Sequence, residues 1–411
     1  MEAAIRAVEH DIADRSRELV ALRRDLHRHP EPSWEEHRTT AVLLDRLRAA
    51  GLDPRPGPTG TGVVCDIGAA GAAGPAGDAA ESPGPLVALR GDIDALRLPD
   101  TKDVPYRSEV DGVCHACGHD VHTAAALGAG LALAEVARHG AGLPGGGRVR
   151  LLLQPAEETV PGGARALCDA GAMDGVGAIF ALHCDPSVEV GRLGLSAGPI
   201  GSAADYVTIR LKGPGGHTAR PHLTADLGHL VGRVLVDLPA GLARLSDSRD
   251  GVNLTFGMVQ AGDAPNAIPS EAVLGGSLRA TGRVSWQEAG PKLQRLLAAI
   301  VEPFGARWEL DHRVGAPPLV NDPWAVGVAD RAARRVLGDD AVEPTRQSAG
   351  GEDFSWYLDH APGAYLRLGV RARGAGAVDI HSSAFDVDES AVALGASVLA
   401  ASALCALHDL A

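Results

Sequence analysis

The sequence predicts an α/β protein, a mixed-sheet domain with helices on both faces, interrupted by an inserted ferredoxin-like (βαββαβ) lid domain. Three observations lead there. Short apolar runs at 62–67, 86–89, 149–153 and 178–182 alternate with helical-period stretches at 39–50 and 123–136, the pattern of strands covered by helices. From residue 205 the strands become half-exposed, and elements follow in β-α-β-β-α-β order as far as residue 312, which is the ferredoxin-like arrangement. After Pro317-Pro318 a helical run at 324–337 and a strand at 364–368 resume the first pattern. The expected organisation is one domain built from residues 1–201 and 314–411, with residues 202–313 inserted as a lid.

Composition narrows the possibilities. A chain of 411 residues has room for two domains and a large core. Aromatic residues make up only 3%, so Ala, Gly, Leu and Val fill that core and small side chains pack closely. A formal net charge of −14 argues against sequence-independent nucleic-acid binding, which needs clustered Lys and Arg. Six cysteines, at 65, 114, 117, 168, 184 and 405, are too few and too scattered for a disulfide scaffold. They fit a reducing compartment.

Residues 1–25 mix both signs of charge and lack the apolar segment of a signal peptide. Ile5, Val8, Ile12, Leu19 and Leu22 recur at near-helical spacing, so this is an amphipathic surface helix. Pro30 ends it, because the residue before a proline avoids helix; His27 and His29 are surface or packing residues rather than ligands. The glycine- and alanine-rich stretch 68–85 has no large apolar residue and is expected to be a mobile surface loop of unassigned role. The uncharged stretch 391–407 is mostly Ala and falls below the roughly 18 strongly apolar residues of a membrane span. It is expected as a final helix packed on the sheet. No membrane partner and a cytoplasmic location follow.

The chemistry concentrates in Cys114-His115-Ala116-Cys117-Gly118-His119-Asp120-Val121-His122, just ahead of the helical run at 123–136. Thiols and imidazoles at this spacing suit zinc, manganese, cobalt or nickel better than calcium or magnesium. Cys117 and His119 flank Gly118, which leaves both free to turn toward one point. A redox Cys114/Cys117 pair is the alternative. Haem attachment is disfavoured, since Gly118 separates the second Cys from the His. Around this cluster, strand ends carry more ligand-type residues. Arg90-Gly-Asp-Ile-Asp94 follows one strand, Gln154-Pro-Ala-Glu-Glu158 another, and His183 a third. A lone Glu-Glu pair is usually solvated charge. The repetition of ligand-type residues at the carboxyl ends of successive strands, where open α/β sheets bind ligands, favours one shared metal centre. Of two adjacent carboxylates, one can bind metal while the other faces a water, as metal-assisted hydrolysis requires.

These residues together resemble the dinuclear metallopeptidase family that includes aminoacylase, carboxypeptidase G and succinyl-diaminopimelate desuccinylase. The likeness is greatest to its amidohydrolase subfamily of hippurate hydrolases, N-acyl-amino-acid amidohydrolases and plant auxin-conjugate hydrolases. The motifs that carry it are His115-Ala-Cys-Gly-His-Asp120, Gln154-Pro-Ala-Glu-Glu158, Gly216-His217-Thr-Ala-Arg-Pro-His222, Pro265-Asn-Ala-Ile-Pro269 and Gly351-Glu-Asp-Phe354. The resemblance implies two divalent metal ions, manganese or zinc with cobalt and nickel as alternatives, held by Cys117, His119, Glu158, His183 and His381. It makes Glu157 the general base and acid. The broader family has a His at the position of Asp92; here the Cys117 thiolate replaces it, and Asp94 becomes a support behind the ligands. His217, Asn266 and Arg279 match lid positions that contact substrate, the first often in a neighbouring subunit's site, so a homodimer or homotetramer is implied. The activity implied is hydrolysis of an N-acyl amino acid to a carboxylic acid and a free amino acid. Rival readings are a dipeptidase or N-deacetylase with the same centre and, from another class, a metal-binding or thiol-redox protein without hydrolytic activity.

Overall fold

The structure is a computed structural model that describes residues 1–68, 84–139 and 142–411. The stretch 69–83, most of the expected surface loop, lies outside the described residues, as do 140 and 141 of the glycine-rich turn after the 123–136 run. The chain forms two compact units, one of residues 1–200, 321–346 and 356–411, the other of residues 201–320 and 347–355.

The first unit opens with helix α1 (Glu2–Arg28), whose buried face of Ile5, Val8, Ile12, Leu19, Leu22 and Leu26 follows the expected spacing. Arg23 and His27 are buried on the same face. Helix α2 (His37–Ala49) follows, then strands β1 (Val63–Ile67) and β2 (Leu86–Asp92). Helix α3 (His119–His139) starts directly from the Cys/His cluster. Strand β3 (Arg148–Gln154) and the long β4 (Val176–Glu189) complete the first stretch of this unit.

The second unit runs β5 (Ala204–Lys212), α4 (Leu227–Leu245), β6 (Asn253–Ala261), β7 (Glu271–Arg279), α5 (Ala289–Val301) and β8 (Arg307–Ala316). Its sheet has the order β6-β7-β5-β8 and is antiparallel throughout. The βαββαβ succession read from the sequence is therefore present. Val207, Ile209 and Leu211 of β5 pack with Leu230, Val234 and Leu238 of α4 and Leu293 and Leu297 of α5 in a core of its own. The opposite face of the sheet carries charge, with Lys212 paired to Glu309 at 2.7 Å.

The chain then returns to the first unit through α6 (Pro323–Leu337), β9 (Gly363–Arg371) and α7 (Ser390–Leu410). The large sheet has the central order β1-β3-β2-β4-β9. β1 is antiparallel to β3, while β3, β2, β4 and β9 run parallel to their neighbours. A parallel strand buried under helices needs an apolar sequence throughout, and all seven residues of β2 are buried, Arg90 and Asp92 included. β4 runs further than the apolar run at 178–182 suggests, because β9 continues to pair with it as far as Arg371↔Glu189. Its ladder with β2 stops at Arg90↔Ala181. His183 therefore lies inside a strand, yet just beyond the end of its ladder with β2.

Helices α3 and α7 are buried on nearly all sides. α7 is the one helix among the described residues whose length and composition would suit a membrane span, and 83% of its apolar window is buried inside the fold. Buried helices of Ala, Gly and Leu allow backbones to approach closely. A Cβ on Gly128 of α3 would lie 2.7 Å from Leu19 Cδ1 of α1. Overpacking of this kind costs roughly 1–3 kcal/mol, so Gly128→Val is expected to destabilise the protein by at least that amount in urea unfolding. An unchanged midpoint would mean that α1 is not seated against α3 as described.

Candidate metal centre

His119 is the first residue of α3, and Cys117 lies two residues before it. Between them Gly118 has φ +88°, and a Cβ there would lie 2.7 Å from Cys184 Sγ. Only glycine enters this backbone region without strain. Gly118 thus turns the chain so that Cys117 and His119 face the same side. Cys117 Sγ is 3.4 Å from His183 Nε2, and the ligand atoms of Cys117, His119 and His183 lie within 4.8 Å of one another. All three residues are buried.

The carboxylates arrive from the ends of β2 and β3. Glu157 and Glu158 follow a turn in which Ala156 has φ +53°. Glu158 Oε1 is 3.8 Å from His119 Nε2 and 3.3 Å from His381 Nε2; Glu157 Oε2 is 4.0 Å from His119 Nε2. Asp92 Oδ2 approaches the same ring nitrogen at 3.6 Å. Three carboxylate oxygens therefore surround His119 Nε2, each too distant for a hydrogen bond. Both His119 Nε2 and Glu158 Oε1 are buried without a hydrogen-bond partner. Burial opposes a charge on His119, but Asp92, Asp94 and Glu158 outweigh it and hold its pKa at about 10. The site attracts positive charge, and its N, O and S donors fit a divalent transition-metal ion.

His381 reaches the group from a loop near the end of the chain. It has φ +59°, and its backbone N–H donates to Ala116 O at 2.7 Å. The structure thus brings together Cys117, His119, Glu157, Glu158, His183 and His381. Asp94 stands behind them. Its backbone oxygen is 2.9 Å from His119 Nδ1, and its Oδ2 accepts from the Ser33 hydroxyl at 2.7 Å and the Glu158 N–H at 3.0 Å. Supports of this kind fix the orientation of ligands.

Several polar contacts near the group were not legible in the sequence. His122 Nε2 accepts from the Cys184 N–H at 2.8 Å, so its Nδ1 carries the proton and donates to Asp92 Oδ1 at 2.7 Å. The other oxygen of Asp92 accepts from Arg90 at 2.6 Å. His27 is a packing residue, with its ring between Asp120 Oδ2 at 2.8 Å and Asp100 Oδ2 at 3.2 Å. Spacing alone marks His122 as one more cluster histidine; only its partners separate it from the others. Cys114 is buried outside the group, and burial pushes its thiol up to about 11. Such a thiol is inert, which weighs against the redox pair.

The lid residues belong to the second unit. Gly216–His217 pairs with Ala267–Ile268 in a short ribbon, Ala267 opposite His217. Asn266 O accepts from the Thr218 N–H at 3.3 Å, so His217 and Asn266 occupy neighbouring ends of that ribbon, both exposed. His217 Nδ1 accepts from the Ala219 N–H at 3.1 Å, leaving Nε2 as the outward donor. Arg279 ends β7, and its Nη1 lies 3.3 Å from where a Cβ would stand on Gly351.

Residues 88–404 match peptidase family M20/M25/M40. The chain is 36% identical over 380 residues to an N-acetyl-L-cysteine deacetylase of Bacillus subtilis, covering 92% of this chain and 85% of the relative. It is 44% identical over 385 residues to a Rhodococcus jostii protein named as a candidate glutamate–cysteine ligase; that match takes in 94% of this chain but only 46% of the longer relative. Among solved structures, a Bacillus subtilis protein described as a dinuclear metal binding peptidase from the M20 family superposes with a TM-score of 0.78 at 31% identity. The alignment covers 95% of this chain and 98% of the other.

The turn at Gly118 can be tested without metal. Gly118→Ala places a side chain at φ +88° and against Cys184, and a strained backbone site costs about 1–3 kcal/mol. Metal-free Gly118→Ala is expected to unfold at correspondingly lower urea. A wild-type midpoint would show that this turn tolerates a Cβ.

Proposed function

The chain belongs to peptidase family M20/M25/M40, and we propose on that premise that it is a metal-dependent amidohydrolase of N-acyl amino acids. It cleaves the amide bond to give a carboxylic acid and a free amino acid. The observation that carries this reading is the convergence of Glu157 and Glu158 on His119 Nε2, at 4.0 and 3.8 Å, in a triad that shares His119 with Cys117 and His183 and shares Glu158 with Cys117 and His381. The dinuclear description of the Bacillus subtilis structure supports two divalent ions. Cys117, His119, Glu158, His183 and His381 would hold them, with manganese or zinc as the proposed occupants. When bound, such ions supply Lewis acidity, making water a stronger acid and the amide carbonyl more electrophilic.

The chain's own residues do the rest. Glu157 takes a proton from the water that attacks the carbonyl carbon. As the C–N bond breaks, it passes that proton to the departing amine. Asp94 keeps His119 and the Glu158 backbone in place, and the Asp92–His122 pair does so for the Cys184 backbone beside His183. On the lid, Arg279 offers a planar fork for the substrate α-carboxylate, and Asn266 and His217 offer further donors. The Bacillus subtilis relative is named an N-acetyl-L-cysteine deacetylase, so acetyl-cysteine heads the substrates to try. A homodimer and a cytoplasmic location complete the proposal.

Two sets of experiments test it, the first on the metal and the adjacent carboxylates. Chelation should abolish amine release and added manganese, cobalt or zinc should restore it. Glu157→Gln should keep near-normal metal content and lose turnover by about 10²–10⁴-fold or more, whereas Glu158→Gln should lower metal occupancy. Metal lost from the Glu157 variant instead would mean that the two roles are reversed.

The second experiment addresses carboxylate recognition. Removing one partner of a buried charge pair costs roughly 2–5 kcal/mol, which is about 30- to several-thousand-fold in kcat/KM at 1.4 kcal/mol per tenfold. Arg279→Met should show that loss on an acyl amino acid, and should handle the acid and its neutral C-terminal amide nearly alike. Retention of the full preference for the acid would assign carboxylate recognition elsewhere.

A further inference from the structure

We propose that Glu36 is a positioning residue for Glu157: its side chain grips the backbone N–H of Ala156 and so fixes the turn from which Glu157 projects. The inference rests on the reading of Glu157 as the proton carrier. Glu36 stands immediately before α2 and is fully buried. Its Oε1 accepts from the Ala156 N–H at 2.8 Å, across 120 residues of sequence. Its Oε2 is buried without a hydrogen-bond partner. That one bond is therefore the contact through which this carboxylate acts on the turn.

The turn needs such a hold. Ala156 has φ +53°, a conformation that an alanine keeps only where its surroundings impose it. Its carbonyl accepts from the Gly163 N–H at 3.0 Å, so both polar groups of this peptide segment are engaged. Two residues on, the Glu158 N–H donates to Asp94 Oδ2 at 3.0 Å. Glu157 is thus flanked by two backbone amides, each held by a buried carboxylate from elsewhere in the chain.

Both holds trace to one short segment. Glu31 O accepts from the Ala95 N–H at 2.9 Å. The Ser33 hydroxyl donates to Asp94 Oδ2 at 2.7 Å, and Glu36 reaches Ala156. Glu31 also caps the start of α2, its carboxylate accepting from the N–H groups of Arg38 and Thr39 at 2.8 and 2.7 Å. Residues 31–36 therefore clamp the carboxyl ends of β2 and β3 together. A general base must be held in place to act, and a displacement of about 1 Å can cost on the order of 100-fold in rate.

The test uses the full chain and the variants Glu36→Ala, Glu36→Gln and Glu157→Gln. A glutamine at position 36 can still accept from Ala156; an alanine cannot. In metal-free protein, hydrogen–deuterium exchange of the peptide spanning 154–160 should be faster in Glu36→Ala and wild-type in Glu36→Gln. With metal restored, Glu36→Ala should keep its metal content and KM but lose kcat by roughly 10- to 100-fold, and Glu36→Gln should recover it. Should Glu36→Ala not accumulate as folded protein, Glu36→Asp, whose shorter arm falls short of Ala156, takes its place. A wild-type kcat in the alanine variant, beside an inactive Glu157→Gln, overturns the brace alone. Equal impairment of the Gln and Ala variants also overturns it. Wild-type turnover in Glu157→Gln overturns the assignment of Glu157, and the role of Glu36 with it.

Discussion

A buried charge is tolerable only beside its opposite, and the region around His119 obeys that constraint one pair at a time. Burial works against ionised Asp92, but Arg90, His119 and His122 hold its carboxyl well below the usual range. Burial also works against Asp120, and Arg23 and His27 hold it down in the same way. Glu36 has no cation beside it; burial, with Asp94 nearby, pushes its pKa up to about 7. Glu158 Oε1 and His119 Nε2 stay unsatisfied in this scheme.

The pairing holds only because the framework around it is close-packed. Arg23 and His27 of α1 reach Asp120 in the first turn of α3, and α1 can lie so near because Gly128 leaves room for Leu19. The same Arg23 contacts Asp386 and Glu389 at 3.3 Å, which ties the segment after His381 to the first helix. A chain poor in aromatic residues fills such spaces with alanine and glycine, and backbones rather than large side chains set the distances. The position of the loop that carries His381 is in this way a consequence of helix packing some distance away.

Sequence reading recovered what is local. The strand and helix periods gave the layers, and close spacing gave Cys117 with His119 and Glu157 with Glu158. It also recovered the βαββαβ order, since alternation there is regular and one face is wet. What it missed depends on partners remote in the chain. Nothing in the run Glu31 to Glu36 marks Glu36 as buried, because its partner is a backbone amide 120 residues away. His122 looks like His119 by composition, and differs only in having both ring nitrogens engaged. The extra length of β4 comes from β9, which enters the sheet after the whole inserted unit. Residues 347–355, expected with the large domain, group with the inserted unit, and there a Cβ on Gly351 would meet Ala204 at 2.3 Å.

The fate of Asp92 bears on why a thiol is present at all. A carboxylate at the end of β2 is on its face a good donor. Yet Arg90 holds one oxygen at 2.6 Å and His122 the other at 2.7 Å. Recruiting Asp92 to a metal would compete with both of these buried, charge-assisted contacts. The donor missing from that strand has to come from another element. Cys117, 3.4 Å from His183, is in place to supply it. A thiolate in that role also narrows the choice of ion, since soft sulfur favours zinc or cobalt over magnesium or calcium. The arginine two residues before Asp92, through the carboxylate it occupies, thereby bears on which metals the proposed centre can use.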